Sequence, residues 1–141
     1  MPGYKFWGHY LHSLDSKNRV AIPAKFRQQI PDGKVVITKF FRSLAVYPQA
    51  EWDKLEENQL GGLDPILSSE GRRVKRRMFG SAFPCEVDKQ GRVSLSAYHL
   101  KISGIKKEVV FQGMNNFFEM WDTERWEAWE AAEDQRDDQE E

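Results

Sequence analysis

Four residues form two matched pairs that could do chemistry. Asp15 and Arg19, then Asp88 and Arg92, each set a carboxylate four residues before a guanidinium across a short polar turn. The segment Leu14-Asp15-Ser16-Lys17-Asn18-Arg19-Val20-Ala21-Ile22 returns 73 residues later as Val87-Asp88-Lys89-Gln90-Gly91-Arg92-Val93-Ser94-Leu95. A two-stranded ribbon fits the major groove of B-DNA, where an arginine can fork onto O6 and N7 of guanine. Lys17 and Lys89 in the turns, with Lys25 and Arg27 just beyond the first, are placed to bind phosphates, which fix register without reading sequence. The plainer reading makes both pairs ordinary turn-closing ion pairs. Exposed pairs contribute little to stability, so stability alone is a weak reason to build the same one twice. The expectation is therefore a split of roles, Asp15 and Asp88 shaping the turns and Arg19 and Arg92 reaching a ligand.

The other chemistry-bearing residues do not assemble. His9 and His12 point to opposite faces of a period-two strand, which makes them a poor metal pair, and His99 lies far away in sequence. Ser13 and Asp15 neighbour His12, but neighbours along a strand do not form a relay, and no nucleophile elbow or phosphate loop is present. Neither a catalytic site nor a metal or other cofactor is expected. The single cysteine, Cys85, excludes a disulfide framework and reads as a small packed hydrophobe.

Strands and turns must hold the paired motifs. Phe6, Gly8 and Tyr10 keep a period of two, as in a strand that continues into the first turn. Asp15 can bond the backbone two residues on, Asn18 tolerates the left-handed conformation, and Gly91, its counterpart, tolerates it better. Arg19–Ile22 then alternates, with Val20 and Ile22 on one side and Arg19 and Ala21 on the other. Pro23 opens a short helix with Phe26 and Ile30 on one face. The strands Val35-Val36-Ile37 and Leu44-Ala45-Val46-Tyr47 follow, then a helix from Gln49 to about Leu60 with Trp52 and Leu55 inward, stopped by Gly61-Gly62. A connector helix is expected from Asp64 and Pro65, with Ile66, Glu70, Val74 and Met78 on one face. The second half repeats the order: strand Met78–Glu86, turn, strand Arg92–Leu95, a short helix after Ser96, strands Glu108–Gln112 and Phe117–Trp121, and a last helix with Trp126 and Trp129 inward. Its matches to the first half include Phe79 and Phe83 for Phe6 and Tyr10, and, at an offset of 74, Val109-Val110-Phe111 for Val35-Val36-Ile37. One supersecondary unit is used twice. The divisions expected are residues 5–52 and 78–126 for the two units, 53–77 for a helical connector, and 127–141 for an acidic tail, disordered beyond Ala132.

Charge is segregated along the chain. Residues 127–141 hold eight acidic groups against Arg136, a net of −7, which leaves +6 on the remainder of a chain whose total is −1. The tail reads as a solubility device, with competition against an anionic partner as the sharper alternative. The densest basic cluster is Arg72, Arg73, Lys75, Arg76 and Arg77, which wraps around a helix and reads chiefly as a solvated face, a subunit contact or a source of general electrostatic attraction, with direct DNA contact as the lesser alternative. At 141 residues the two halves are each too small to bury their apolar strands alone, so they should share a core and associate further as a closed homo-oligomer. No apolar stretch of membrane-spanning length or signal-peptide type occurs, and the expected address is the cytoplasm.

These motifs resemble the MraZ family, bacterial transcriptional regulators built from two swapped-hairpin units related to AbrB. The resemblance rests on Phe6-x-Gly8-x-Tyr10-x-His12-Ser13-Leu14-Asp15-Ser16-Lys17-x-Arg19-Val20-x-Ile22-Pro23, on Val46-Tyr47-Pro48 with Trp52, and on Cys85-Glu86-Val87-Asp88-Lys89-Gln90-Gly91-Arg92-Val93. It implies an α+β fold, mainly β with short helices, in which two tandem AbrB-like units form a pseudo-dimeric double-split β-barrel. It also implies assembly into rings and binding of double-stranded DNA at short direct repeats upstream of the division and cell-wall gene cluster, hence a nucleoid-associated protein. Arg19 and Arg92 take the place of the family's DNA-contacting arginine. The chain departs from the pattern at Asn18, where glycine is usual, and at Ser96, where proline is common. Tyr98-His99-Leu100 also lacks the basic residues that the first unit has in Lys25 and Arg27. The leading expectation is a sequence-specific regulator with neither membrane nor small-molecule partner. The rival from another class is an oligomeric scaffold that binds proteins.

Overall fold

The computed structural model describes residues 3–60 and 68–140. The fold is α+β, dominated by antiparallel strands: β1 (His9–Ser13), β2 (Arg19–Ala21), β3 (Lys34–Phe40), β4 (Ser43–Pro48), β5 (Phe83–Glu86), β6 (Arg92–Ser94), β7 (Glu108–Gly113) and β8 (Phe118–Asp122). Six form one sheet in the order β1-β7-β8-β4-β3-β5, and β2 pairs with β6 as a separate ribbon. Among the described residues no pairing joins β1 to β5, so the sheet keeps two edges and the expected barrel is not closed.

Each half lends its first strand to the other. β1 pairs with β7 of the second half, Tyr10 opposite Phe111 and His12 opposite Val109. β5 pairs with β3 of the first half, Phe83 opposite Ile37 and Cys85 opposite Val35. These are the same pairings once the repeat offset is applied. At the centre of the sheet Ala45 faces Glu119, flanked by Leu44–Met120 and Val46–Phe118. In the ribbon Val20 faces Val93, flanked by Arg19–Ser94 and Ala21–Arg92. Both central pairs join equivalent residues, so a pseudo-twofold axis passes through them.

The alternation of the strands divides the interior. Val35, Ile37, Leu44, Val46, Val109, Phe111, Phe118 and Met120 point to the main core, where they meet Val20, Ile22, Val93 and Leu95 from the ribbon and its flanks. Short helices α1 (Ala24–Arg27) and α4 (Ala97–Ser103) lie on the same side. Phe26 of α1 is fully buried, with its ring 4.8 Å from Phe118 and 5.4 Å from both Phe6 and Tyr10. Packing of this kind is worth about 1.5–3 kcal/mol for each large apolar side chain buried. The opposite sheet face in the first half carries Val36, Ala45 and Tyr47, covered by Trp52 of α2 (Gln49–Leu55, continuing as a wider turn Glu56–Leu60). Helix α3 (Ser69–Val74), with its wider turn Lys75–Phe79, adds Val74, Met78 and Phe79 to that cluster.

Several expectations need correction. Met78 and Phe79 are helical, not the start of a strand, because Val74 and Met78 continue an apolar helical face and Phe79 packs on Trp52 at 5.9 Å. Phe79 therefore does not play the part of Phe6, which lies in the main core and bridges to Asn115. Ser68 caps α3 by accepting from the Gly71 amide at 3.0 Å. The expected cap Asp64, with Pro65, Ile66 and the Gly61-Gly62 stop, lies outside the described residues. Helix α5 runs Thr123–Glu140, through the segment expected to be disordered. Ala131, Ala132 and the glutamates there are good helix formers and neither Gly nor Pro interrupts them. Trp126 is buried as expected, whereas Trp129 remains 44% exposed.

Candidate nucleic-acid interface

The two Asp-turn-Arg motifs fold into the same local structure. Asp15 Oδ1 accepts from the amides of Lys17 (2.8 Å) and Arg19 (2.9 Å), and the Asn18 amide closes the turn on the Asp15 carbonyl at 3.0 Å. Asp88 Oδ1 likewise accepts from Gln90 and Arg92, both at 2.9 Å, and Gly91 closes on the Asp88 carbonyl at 2.9 Å. Asn18 (φ 59°) and Gly91 (φ 79°) are both left-handed, as the turns require. The amides of Arg19 and Arg92 hold the carboxyls of Asp15 and Asp88 below the usual carboxylate range.

The arginines are not left loose. Arg19 Nε donates to Asp15 Oδ2 at 2.8 Å and Arg92 Nε to Asp88 Oδ2 at 3.0 Å. The aspartates thus shape the turn and also aim the guanidinium, which the expected split of roles had kept apart. Arg92 Nη1 also lies 3.6 Å from Asp15 Oδ2, so the two motifs touch across the pseudo-twofold axis. Further bonds lace them together: Leu95 N to Asn18 O and Ile22 N to Gly91 O, both 2.9 Å.

The β2–β6 ribbon determines where the arginines point. Val20 and Val93 face the core, which puts Arg19, Ala21, Arg92 and Ser94 on the outer side. Arg19 and Arg92 are two registers apart on opposite strands, an offset of about 7 Å at roughly 3.4 Å per residue. Two base-pair rises of duplex DNA span about the same length.

The other predicted residues separate into two groups. Lys17, Lys89 and Lys25 are exposed, the first two in the turns and the third on α1. Arg27 is engaged instead: its guanidinium packs on Gly91, and Nη1 donates to the Ile22 carbonyl at 3.4 Å. A Cβ at position 91 would lie 2.5 Å from Arg27 Cδ and 2.7 Å from Cζ. Arg27 thus ties the first unit's helix to the second unit's turn. Two further polar residues join this region that sequence reasoning missed. Ser94 stands opposite Arg19, and Lys107 is brought beside the first turn by the Leu14 N–Lys107 O bond of 2.7 Å. The exchange of strands between halves puts them there, and no local spacing signals it.

The histidines serve structure. His12 Nδ1 donates to the Ala21 carbonyl at 2.6 Å, linking β1 to the ribbon, and His9 Nδ1 bonds Gln112 Oε1 at 2.9 Å. Buried His99 donates from Nε2 to the Ser81 carbonyl at 2.7 Å, and burial holds its pKa down. Burial also raises the Cys85 thiol, which packs against the core. No helix among the described residues is long and apolar enough to cross a membrane. The arginine cluster differs from expectation: Arg72, Arg73, Arg76 and Arg77 line one groove with Ser69, because these positions recur every three to four residues and share a face. Only Lys75 turns elsewhere, over the Phe79 ring at 5.8 Å.

Comparison with known proteins places the chain in a family. The family described as "MraZ protein, putative antitoxin-like" matches residues 6–63 and 78–141. A transcriptional regulator MraZ of Halothermothrix orenii is 43% identical over 121 residues, covering 86% of this chain and 83% of the relative. Relatives of the same name from Natranaerobius thermophilus and Leuconostoc mesenteroides are 39% and 40% identical, each over 127 residues and 89% of this chain, with 86% and 87% of their own lengths covered. Matched in both halves and along most of its length, the chain belongs to the MraZ family.

Proposed function

We propose that the chain is a sequence-specific DNA-binding transcriptional regulator, with the β2–β6 ribbon and its two turns as the reading surface. The observation that carries this is the joining of two matching Asp-turn-Arg motifs on the outer face of one ribbon, at a spacing of about two base-pair rises. In this reading Arg19 and Arg92 approach base edges while Lys17, Lys89 and Lys25 meet phosphates. Asp15, Asp88, Asn18 and Gly91 shape the turns, and Arg27 braces the second one. Residues 5–52 and 78–126 act as two AbrB-like units in a pseudo-dimer, which the reciprocal exchange of β1 and β5 supports. The names of the relatives support regulation of transcription. The finer reading is a protein of the cytoplasm and nucleoid that assembles with copies of itself on short direct repeats upstream of division and cell-wall genes. Several readers at fixed spacing then multiply the modest affinity of each.

The test is a binding series on a promoter fragment with direct repeats and on an unrelated duplex of equal length. Affinity for the first should fall linearly with salt in logarithmic coordinates, with a slope of about −0.9 per phosphate contact. Arg19→Ala and Arg92→Ala should each weaken specific binding by about 1–3 kcal/mol per lost base contact, roughly 5- to 150-fold. Unaltered specific affinity in the folded double variant refutes the assignment of the arginines.

A further inference from the structure

The turn between β3 and β4 departs from its counterpart in the second half in ways the repeated fold does not require. At the repeat offset, Lys39-Phe40-Phe41-Arg42 corresponds to Gly113-Met114-Asn115-Asn116. Phe41 and Asn115 are both left-handed, with φ of 56° and 72°. Asparagine tolerates that conformation, whereas a bulky side chain held there is an outlier that calls for a reason. Burial is not the reason, since Phe41 is 72% exposed, its ring edge-on to Phe40 at 4.9 Å. Lys39 and Arg42 bracket the two rings, and neither charge has an equivalent in the second half. Helix α3, which roofs the first half's outer face, has none either. Among the described residues no helix roofs that second face, and the segment ahead of β1 turns inward with Phe6 in the main core.

Between the β3–β4 turn and α3 lies a groove of about 360 Å³, in which Lys39, Arg73 and Arg77 meet Phe40, Phe41 and Met78. Its two walls are tied together from beneath. Buried Thr38 donates from Oγ1 to the Met78 carbonyl, the Lys39 amide donates to Ser81 Oγ at 2.8 Å, and buried Ser81 donates to the Arg77 carbonyl. Lys39, Arg42, Arg73 and Arg77 have no ion pair among the described residues. Desolvation, with Arg125, Arg77 and Arg42 nearby, holds the Lys39 ammonium below its usual range. Positive charge is therefore gathered here without a counter-charge. Glu70 also lines the groove, seven residues before Arg77 on the same stripe of the helix, about 10 Å away at 1.5 Å per residue. The groove lies on the side of the sheet away from the β2–β6 ribbon, out of reach of a duplex held there.

We propose that this groove binds a nucleoside di- or triphosphate, its base stacked on Phe41 and its phosphates held by Lys39, Arg73 and Arg77. The volume suits one such ligand, and pockets of this kind combine apolar walls with a few convergent polar groups. Guanidinium forks match phosphate oxygens, and several cations call for more than one phosphate. Glu70 accepts from a ribose hydroxyl, a donor that an inorganic anion lacks. Spacing along the chain indicates no small-molecule partner because Lys39, Phe41, Arg73 and Arg77 come together only in the fold. The site is independent of the DNA reading assigned to the ribbon.

Calorimetric titration of the full-length chain with ATP, adenosine and inorganic triphosphate, without divalent cations, tests it. ATP should bind at least about tenfold more tightly than either fragment, since only the whole ligand uses both the ring and the cations. Arg77→Gln should weaken ATP binding at least about tenfold, the scale of one lost hydrogen bond to a charged group. Phe41→Asn gives the turn the residue type of its counterpart and relieves its backbone. It should weaken ATP at least about fivefold, through the lost stacking, and leave triphosphate binding unchanged. A melting temperature no lower than the parent's shows that this variant folds. The Arg19→Ala, Arg92→Ala double variant should bind ATP as the parent does; a loss there puts the nucleotide on the ribbon and overturns the proposal. Absence of ATP binding overturns it, as does triphosphate binding as tightly as ATP, which leaves only a general anion site. Binding to phosphatidylglycerol vesicles but not to ATP makes the groove a headgroup site, and a thymidine oligonucleotide that displaces ATP from the groove and binds far more tightly makes it a path for single strands; either result overturns the free nucleotide.

Discussion

Gly91 and Arg27 form a pair whose coupling can be calculated and measured. Gly91 has a φ of 79°, and a Cβ there would collide with the Arg27 guanidinium. A side chain in the left-handed region costs about 1–2 kcal/mol. Displacing Arg27 also breaks its bond to the Ile22 carbonyl, and a bond from a charged donor contributes about 1.5–3 kcal/mol. Part of that bond survives by rearrangement, so both effects are taken at their lower bounds and Gly91→Ala should destabilise the fold by about 2.5 kcal/mol in all. In a domain of this size that lowers the melting temperature by about 5–10 °C. The same change at the equivalent site, Asn18→Ala, should cost only about 1 kcal/mol, since asparagine already carries a Cβ in this conformation. Urea unfolding of Gly91→Ala, Arg27→Ala and the double variant gives the cycle. The double variant should be less destabilised than the sum of the singles by about 1 kcal/mol or more, the range seen for residues in contact. Strict additivity, or equal costs at positions 18 and 91, refutes the bracing role of Arg27.

Two further predictions concern pH and the acidic helix. His99 is held neutral by burial, so its folded pKa lies below its unfolded value. Its contribution is present above about pH 6.5 and is lost as pH falls through the folded value. Unfolding free energy should therefore drop between pH 7.5 and 5.5, and the drop should shrink in His99→Phe; an unchanged slope in that variant refutes the assignment. Deleting residues 133–141 removes six acidic groups and Arg136, yet leaves both turns untouched. Binding to the promoter fragment should stay within about twofold while solubility near neutral pH declines. A several-fold gain in affinity for unrelated DNA at low salt that vanishes at high salt refutes this, because screening hides charges beyond about 10 Å.

The parts of the fold that sequence reveals are those fixed by local chemistry. The Asp-turn-Arg repeat announces both hairpin turns, and the positive φ of Asn18 and Gly91 follows from residue type alone. Val20 and Val93 alternate against Arg19 and Arg92, which orients the ribbon. What was hidden depends on contacts distant in sequence. Phe79 matches Phe6 by offset but is drawn into a helix by Trp52, and Trp129 looks like an inward residue until the missing roof leaves it exposed. The shared face of Arg72, Arg73, Arg76 and Arg77 was legible in their spacing but obscured by reading the whole cluster at once. Arg27 looks like a free cation in sequence because Gly91, which it covers, arrives only through the exchange of strands.

That exchange also governs how the chain can be made. Among the described residues β1 pairs only with β7 (Glu108–Gly113), and β2 only with β6. At about 5–20 residues per second on the ribosome, roughly a hundred residues of synthesis separate β1 from β7, so the first strand waits about 5–20 s unpaired. During that wait Tyr10, Leu14 and Val20 have no sheet to join, while the turn between β1 and β2 carries Asp15, Lys17 and Arg19 in the same stretch. Charges flanking an unpaired apolar strand oppose its pairing with other chains. The residues proposed to read DNA in the finished protein thus also guard the nascent one until its second half arrives.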